Sequence, residues 1–225
     1  MSTPVTAQFL LEGTVYALQQ CGFHLRDANI LYRGASYANA LVLAAFAREE
    51  LGRSNILFDL RTQLLAGTML TLDDINTRCE DHITKQQSAV LSTMLQAETN
   101  SGLQRLLKSY QNADPQTQEG KDANDELTRI VEIKRKRAST DRHKQRLLAL
   151  YVQPDDTGSR WNRPIDISQI TAREFLHDAA NDYARDYNHQ YVVPGAPSNH
   201  IEPELFEALK NWSDRPELPL PEWPH

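Results

Sequence analysis

The run from Ala38 to Ala47 constrains the fold most, because Asn39 is its only polar residue. Wound as a helix, it is apolar on nearly every side, and such a helix belongs at the centre of a bundle. It is ten residues long, about half of what a membrane-spanning helix needs. Glycine is scarce around it, at nine of 225 residues, and strand-like alternation is nearly absent. Long segments instead carry apolar residues three and four apart, the helical signature. The expectation is an all-α bundle of five to six helices.

The spacing predicts a first helix over 6–33, with Phe9, Leu10, Val15, Leu18, Leu25, Ala28 and Leu31 inward. Gly34-Ala35-Ser36 ends it, and Ser36 can cap a second helix over 37–65. A third helix opens at Thr71, with Asp73 and Asp74 in a first turn where the helix dipole favours acids. It is expected to run to about Lys108, with Leu72, Ile75, Cys79, Ile83, Gln86, Val90 and Met94 along one face. A polar loop over 112–120 leads to a fourth helix over 122–150. An irregular loop over 152–164 and a fifth helix from Ser168 to about Tyr191 follow.

Nine of the eleven prolines lie at or after Pro154. A turn at 193–197 and a short helix over 203–212 therefore lead to a tail from Pro216 that cannot be helical. Extended, polyproline-like backbone suits it. The chain divides into a helical body over 1–192 and a C-terminal part over 193–225. Trp212 and Trp223 suit packing of that part on the body or on a second subunit; a frayed terminus is the alternative.

Thirty acidic residues against 24 Lys and Arg give a net charge of −6. That average hides eight Lys and Arg against two acids between Arg129 and Arg146, a local +6 that leaves −12 elsewhere. A concentrated basic stretch is either a nucleic-acid footprint or a solvated helix face balancing acidic surface. The N-terminus shows no basic leader before an apolar core, so no signal peptide is expected. Cys21 and Cys79 make no disulfide framework and read as small, reduced apolar residues. A soluble, cytoplasmic protein with no membrane partner is expected.

Four constellations could carry chemistry. Glu49 and Glu50 follow the apolar run within Arg48-Glu49-Glu50-Leu51-Gly52-Arg53, so at least one should be buried and need a partner. It either orients basic catalytic groups or pairs structurally with an arginine. Arg78, His82 and Lys85 fall at i, i+4 and i+7 on one flank of the third helix. They would suit a phosphate site, with His82 able to move protons near neutral pH and Lys85 to stabilise charge on a phosphate oxygen. The same residues could equally be a boundary histidine with two solvated cations. The basic stretch holds Lys134, Arg135, Lys136, Arg137, Arg142, His143, Lys144 and Arg146, and its Arg137 and His143 form the one Arg-x4–6-His spacing. Asp178, Asp182 and Asp186, flanked by His177 and His189, share a face of the fifth helix. They match no compact metal motif and read as an acidic solvated stripe. No phosphate-binding glycine loop, nucleophile elbow or CxxC pair is present. ATP hydrolysis and serine or thiol hydrolysis therefore have no support.

Taken together, the residues resemble the AbiV-type abortive infection proteins of the HEPN superfamily. The likeness runs over about residues 6–190. It rests on Arg26-Asp-Ala-x-x-Leu31, on Tyr37-Ala-x-Ala40-Leu41 leading into Glu49-Glu-Leu-Gly52-Arg53, on His82-x-x-Lys85, and on Lys144-Gln-Arg146-Leu-Leu-Ala-Leu-Tyr151-Val152. Arg53 stands where lysine is expected, and Gln153 where an acid often follows Tyr-Val. The resemblance implies a HEPN-like helical bundle that arrests the bacterial host during phage infection. It also implies a homodimer, acting on RNA as a metal-independent endoribonuclease with no cofactor, and a phage-encoded activator protein as a further partner. Under that implication His82 would activate the ribose 2′-OH or protonate the leaving 5′-oxygen. Lys85, Arg142 and Arg146 would hold the scissile phosphate, Tyr151 would position substrate, and Glu49 or Glu50 would orient His82 or Lys85. Arg78, Lys134 to Arg137, His143 and Lys144 would contact RNA. The competing reading is a non-enzymatic helical module that blocks translation by binding a phage or ribosomal component.

Overall fold

In the computed structural model of the chain, residues 5–89 and 117–190 are described. They form six α-helices, a 3-10 turn and a short hairpin. Helix α1 spans Ala7–Arg33 and α2 spans Tyr37–Leu65. Thr6 caps α1 by accepting from the Phe9 N–H at 3.1 Å. Between the two helices Ala35 takes a left-handed φ of 59° and reverses the chain. As its apolar run requires, α2 is central and packs against every other helix.

Three apolar clusters surround it. Leu18, Leu25 and Ala28 of α1 meet Ala44, Ala47 and Leu51 of α2 in the first. The same cluster takes in Leu176, Ala180 and Tyr183 of α6, which spans Gln169–Gln190. Leu10, Ile56, Leu57, Leu60, Leu70 and Cys79 form the second. Leu41 and Val42 contact Ala149 in the third. Each fully buried leucine contributes about 1.5–3 kcal/mol, so these contacts hold α1, α2 and α6 together. Two positions expected inward lie elsewhere: Phe9 is exposed and Leu31 only half-buried. Cys21 and Cys79 are buried free thiols.

The expected third helix is two. Helix α3 spans Leu72–Glu80, and α4 spans His82–Ala89. Thr71 and Asp74 form a capping box at the start of α3. Asp81 then ends α3 and caps α4. Its carboxylate accepts from the Ile83 N–H at 3.2 Å, the Thr84 N–H at 3.0 Å and the Thr84 hydroxyl at 2.5 Å. A short acidic side chain competes with the helix for its own N–H groups, and here it wins. The Thr84 hydroxyl bond, opposed by desolvation and aided by the Thr84 and Ile83 N–H groups, holds the Asp81 carboxyl below its ordinary range. The break also turns the second half of the face. Ile83 is exposed, while Lys85, Gln86 and Ala89 are buried. The predicted continuation over 90–108 lies outside the described residues.

Helix α5 spans Gln118–Leu150, beginning before the expected 122 because Thr117 caps it by accepting from the Gly120 N–H at 3.1 Å. The loop expected to be irregular contains an antiparallel hairpin, Gln153–Pro154 with Trp161–Asn162, and a 3-10 turn at Pro164–Asp166. Among the described residues no helix is long and apolar enough to cross a membrane. The turn at 193–197, the helix over 203–212 and the tail with Trp212 and Trp223 lie outside the described residues.

One glycine sets how closely α4 approaches. A Cβ added to Gly52 would lie 1.9 Å from the Lys85 carbonyl oxygen, so only glycine admits the α4 backbone at this crossing. Gly52→Ala should lower unfolding stability by about 1–3 kcal/mol, the usual range for overpacking, as read by urea titration. Asp81→Ala should cost about 0.5–2 kcal/mol through the lost cap, whereas Asp81→Asn should retain most of it. Thermal melts of the pair check this. An Asp81→Ala melt unchanged from wild type would show that the cap contributes nothing.

Candidate functional site

Arg48 and Glu49 are consecutive on α2 and both are buried. At 100° apart on the helix they face different neighbours. Arg48 turns to α6 and pairs with Asp182, with neither side chain exposed. Glu49, whose side chain is 5% exposed, turns to α4 and α5. Its Oε1 accepts from Arg146 Nη1 at 2.5 Å, and its Oε2 lies 2.6 Å from His82 Nδ1 and 3.7 Å from Lys85 Nζ. One carboxylate thus gathers side chains from two further helices, one of them 97 residues away in sequence.

The members differ in access. Lys85 and Arg146 are 5% and 8% exposed, whereas the His82 side chain is 51% exposed. A carboxylate accepts hydrogen bonds, so His82 Nδ1 is the donor here, and in a neutral ring Nε2 is the acceptor. Holding one imidazole nitrogen by a carboxylate fixes the tautomer and ring orientation, as in acid–base triads. Two cations against one anion leave the group net positive even with His82 neutral. His143, half-buried on α5, adds a second imidazole with Nδ1 3.5 Å from Arg146 Nη2.

The remaining predicted residues separate from this group. Glu50 pairs with Arg53 at 3.4 Å. Arg78 is exposed on α3, across the Asp81 break from His82. Arg142 lies 3.5 Å from Asp178 on α6, away from Glu49. Burial, with the charge of Arg48, pushes its guanidinium down to about 10, against the pull of Asp182 and Asp178. Lys144 is exposed and bridges to Asp156 at 3.1 Å. Tyr151 is exposed just past α5. Lys134, Arg135, Lys136 and Arg137 sit on α5 nine to twelve residues before Arg146, about 14–18 Å along the axis; their side chains lie outside the described residues.

The acidic stripe on α6 departs from the expected solvated one at Asp182. Asp182 is the buried counter-ion of Arg48, while Asp178 pairs with Arg142 from a half-exposed position. The side chains of Asp186 and His189 lie outside the described residues. Burial lowers the His177 pKa, opposed by Asp178 and helped by Arg173. Among the described residues no three His, Cys, Asp or Glu side chains converge to hold a metal ion.

The family model HEPN_AbiV, described as AbiV, matches residues 9–185. The chain belongs to the AbiV family. No curated protein and no solved structure matches it. The AbiV match encloses α2, α4 and α5, the helices that meet at Glu49. Arg48 is the main residue that sequence reasoning passed over. Its signal was a charged residue directly after the apolar run, one turn from no visible partner. Arg48→Met should lower stability by about 3–5 kcal/mol, since it leaves Asp182 buried and uncompensated. Adding Asp182→Leu should recover much of that loss in chemical denaturation. An uncoupled, additive double mutant would contradict the pairing.

Proposed function

We propose that this AbiV-family protein is an abortive-infection effector that cuts RNA without a metal ion. The supporting observation is the convergence on Glu49 of a half-exposed histidine and two buried cations from separate helices. In this reading His82 Nε2 takes the proton of a ribose 2′-OH, and the freed oxygen attacks the adjacent phosphorus. The bond to the 5′-oxygen breaks, giving a 2′,3′-cyclic phosphate and a 5′-hydroxyl. Glu49 holds the ring and stabilises the imidazolium. Lys85 and Arg146 supply a fixed positive field for the charge that builds on the phosphate oxygens. His143 offers a second imidazole for the leaving oxygen. The family resemblance supports action as a homodimer in the cytoplasm, released by a phage-encoded protein.

A second reading has its own observation. Lys85 and Arg146 are both nearly buried and engaged by Glu49, which also suits a polar network that fixes helix packing in a non-enzymatic module. The two readings part at His82. With purified protein in chelator, RNA should be cut to 2′,3′-cyclic phosphate ends. His82→Ala should slow cleavage by about 10²–10⁴-fold, the usual share of general acid–base catalysis, with little change in melting temperature. Folded wild type that arrests cells yet cuts no RNA would overturn the nuclease reading.

A further inference from the structure

A cavity of about 470 Å³ lies between α5 and the hairpin. This falls within the ~300–1,000 Å³ usual for small-ligand sites. His143, Leu147 and Leu148 of α5 form one wall, and Gln153, Arg160 and Asn162 of the hairpin segment form another. His143 belongs to both places, since it lines the cavity and also contacts Arg146 beside Glu49. The cavity therefore adjoins the candidate catalytic group at one side chain.

The walls are suited to a flat heterocycle. Leu147 and Leu148 present apolar surface. Opposite them, Gln153 and Asn162 are directly paired across the hairpin, so their side chains lie on the same face of the ribbon. Both are half-buried and both line the cavity. Neither makes a side-chain hydrogen bond among the described residues. Two adjacent carboxamides offer donors and acceptors side by side, the kind of group that reads the edge of a nucleobase. The lining charges balance, with Lys144 and Arg160 against Asp155 and Asp156, so the interior does not select a bare anion.

The hairpin is held in shape before any ligand arrives. Asp155 accepts from the Thr157 N–H and hydroxyl at 3.2 and 2.9 Å and from the Ser159 N–H and hydroxyl at 2.9 and 3.0 Å. Lys144 reaches from α5 to Asp156 and ties the two walls together. Preorganisation of this kind lowers the ordering cost of binding.

We infer that this cavity binds one base of the substrate RNA and sets base preference beside the cut, with Asn162 and Gln153 as the reading residues. The inference rests on the nuclease reading for its substrate, but its direct test does not require cleavage. The 3′-monophosphates of adenosine, guanosine, cytidine and uridine are titrated into the full chain by calorimetry, with amide NMR to locate binding. One of the four should bind at least tenfold tighter than the weakest and shift the Gln153 and Asn162 side-chain amides. Asn162→Leu and Gln153→Leu should each weaken it at least tenfold. Asn162→Asp, which keeps the shape and removes the donor, should change which base is preferred, and RNA cleavage should show the same preference. No saturable binding of any of the four at millimolar concentration would overturn the inference, as would affinity unmoved by these substitutions. RNA cleavage without mononucleotide binding removes the pocket and leaves the nuclease. Selective binding without cleavage removes the nuclease and leaves the pocket. Selective binding with base-indifferent cleavage assigns the cavity to a free nucleotide and overturns its role in RNA.

Discussion

The bundle depends on two opposite charges buried side by side on its central helix. Arg48 and Glu49 lie where α2 is enclosed, and each needs a counter-ion in a low-dielectric setting. An uncompensated buried ion costs several kcal/mol. Because the two point about 100° apart, their partners must come from different directions. Asp182 brings α6 to one side, and His82, Lys85 and Arg146 bring α4 and α5 to the other. Apolar packing around α2 would tolerate a range of rotations and slides. The two ion clusters tolerate far fewer, so they act mainly on the register of the helices around α2.

Close approach makes this arrangement reachable. Glu49 and Gly52 are almost one helical turn apart, and so are His82 and Lys85. The missing side chain at Gly52 admits the Lys85 backbone, and that contact carries the lysine toward Glu49. The break at Asp81 then gives His82 a different role from Lys85. As the first residue of α4, His82 keeps half its ring in solvent, while Lys85, most of a turn further on, is enclosed. A continuous helix from Thr71 would have kept Ile83 on the buried face and denied that place to Lys85.

Much of this was legible in the sequence, for reasons particular to each element. The bounds of α1 and α2 follow from local periodicity and from the Gly34-Ala35-Ser36 stop, and neither needs tertiary information. Spacing placed His82 and Lys85 on one flank, but it could not bring Arg146 to them, because Arg146 lies on a separate helix whose rotation is set by packing. Glu49 and Glu50 were equivalent by position along the apolar run, and only the arrival of α4 and α5 separates them. The Asp81 break was hidden because the apolar spacing fits a helix on both sides of it. Asp182 looked like surface because four-residue spacing shows which residues share a face, not what faces them. The basic stretch blurred distinct roles in the same way. Arg142 and Arg146 share a face of α5 yet meet Asp178 and Glu49, while Lys144 points to another side and meets Asp156.

That division also decides which charges can act steadily on a polyanion. Exposed cations such as Lys144 and Arg160 lose much of their reach to salt, since the Debye length is about 8 Å at physiological ionic strength. Lys85 and Arg146 sit beneath the half-exposed imidazole with almost no solvent access, and buried charges are screened far less. Their combined field exceeds that of Glu49 by one charge and is fixed in direction before substrate arrives. In the proposed nuclease, surface cations would draw RNA to the molecule. In that reading the buried pair would act beside the His82 imidazole, and Glu49 holds all three together.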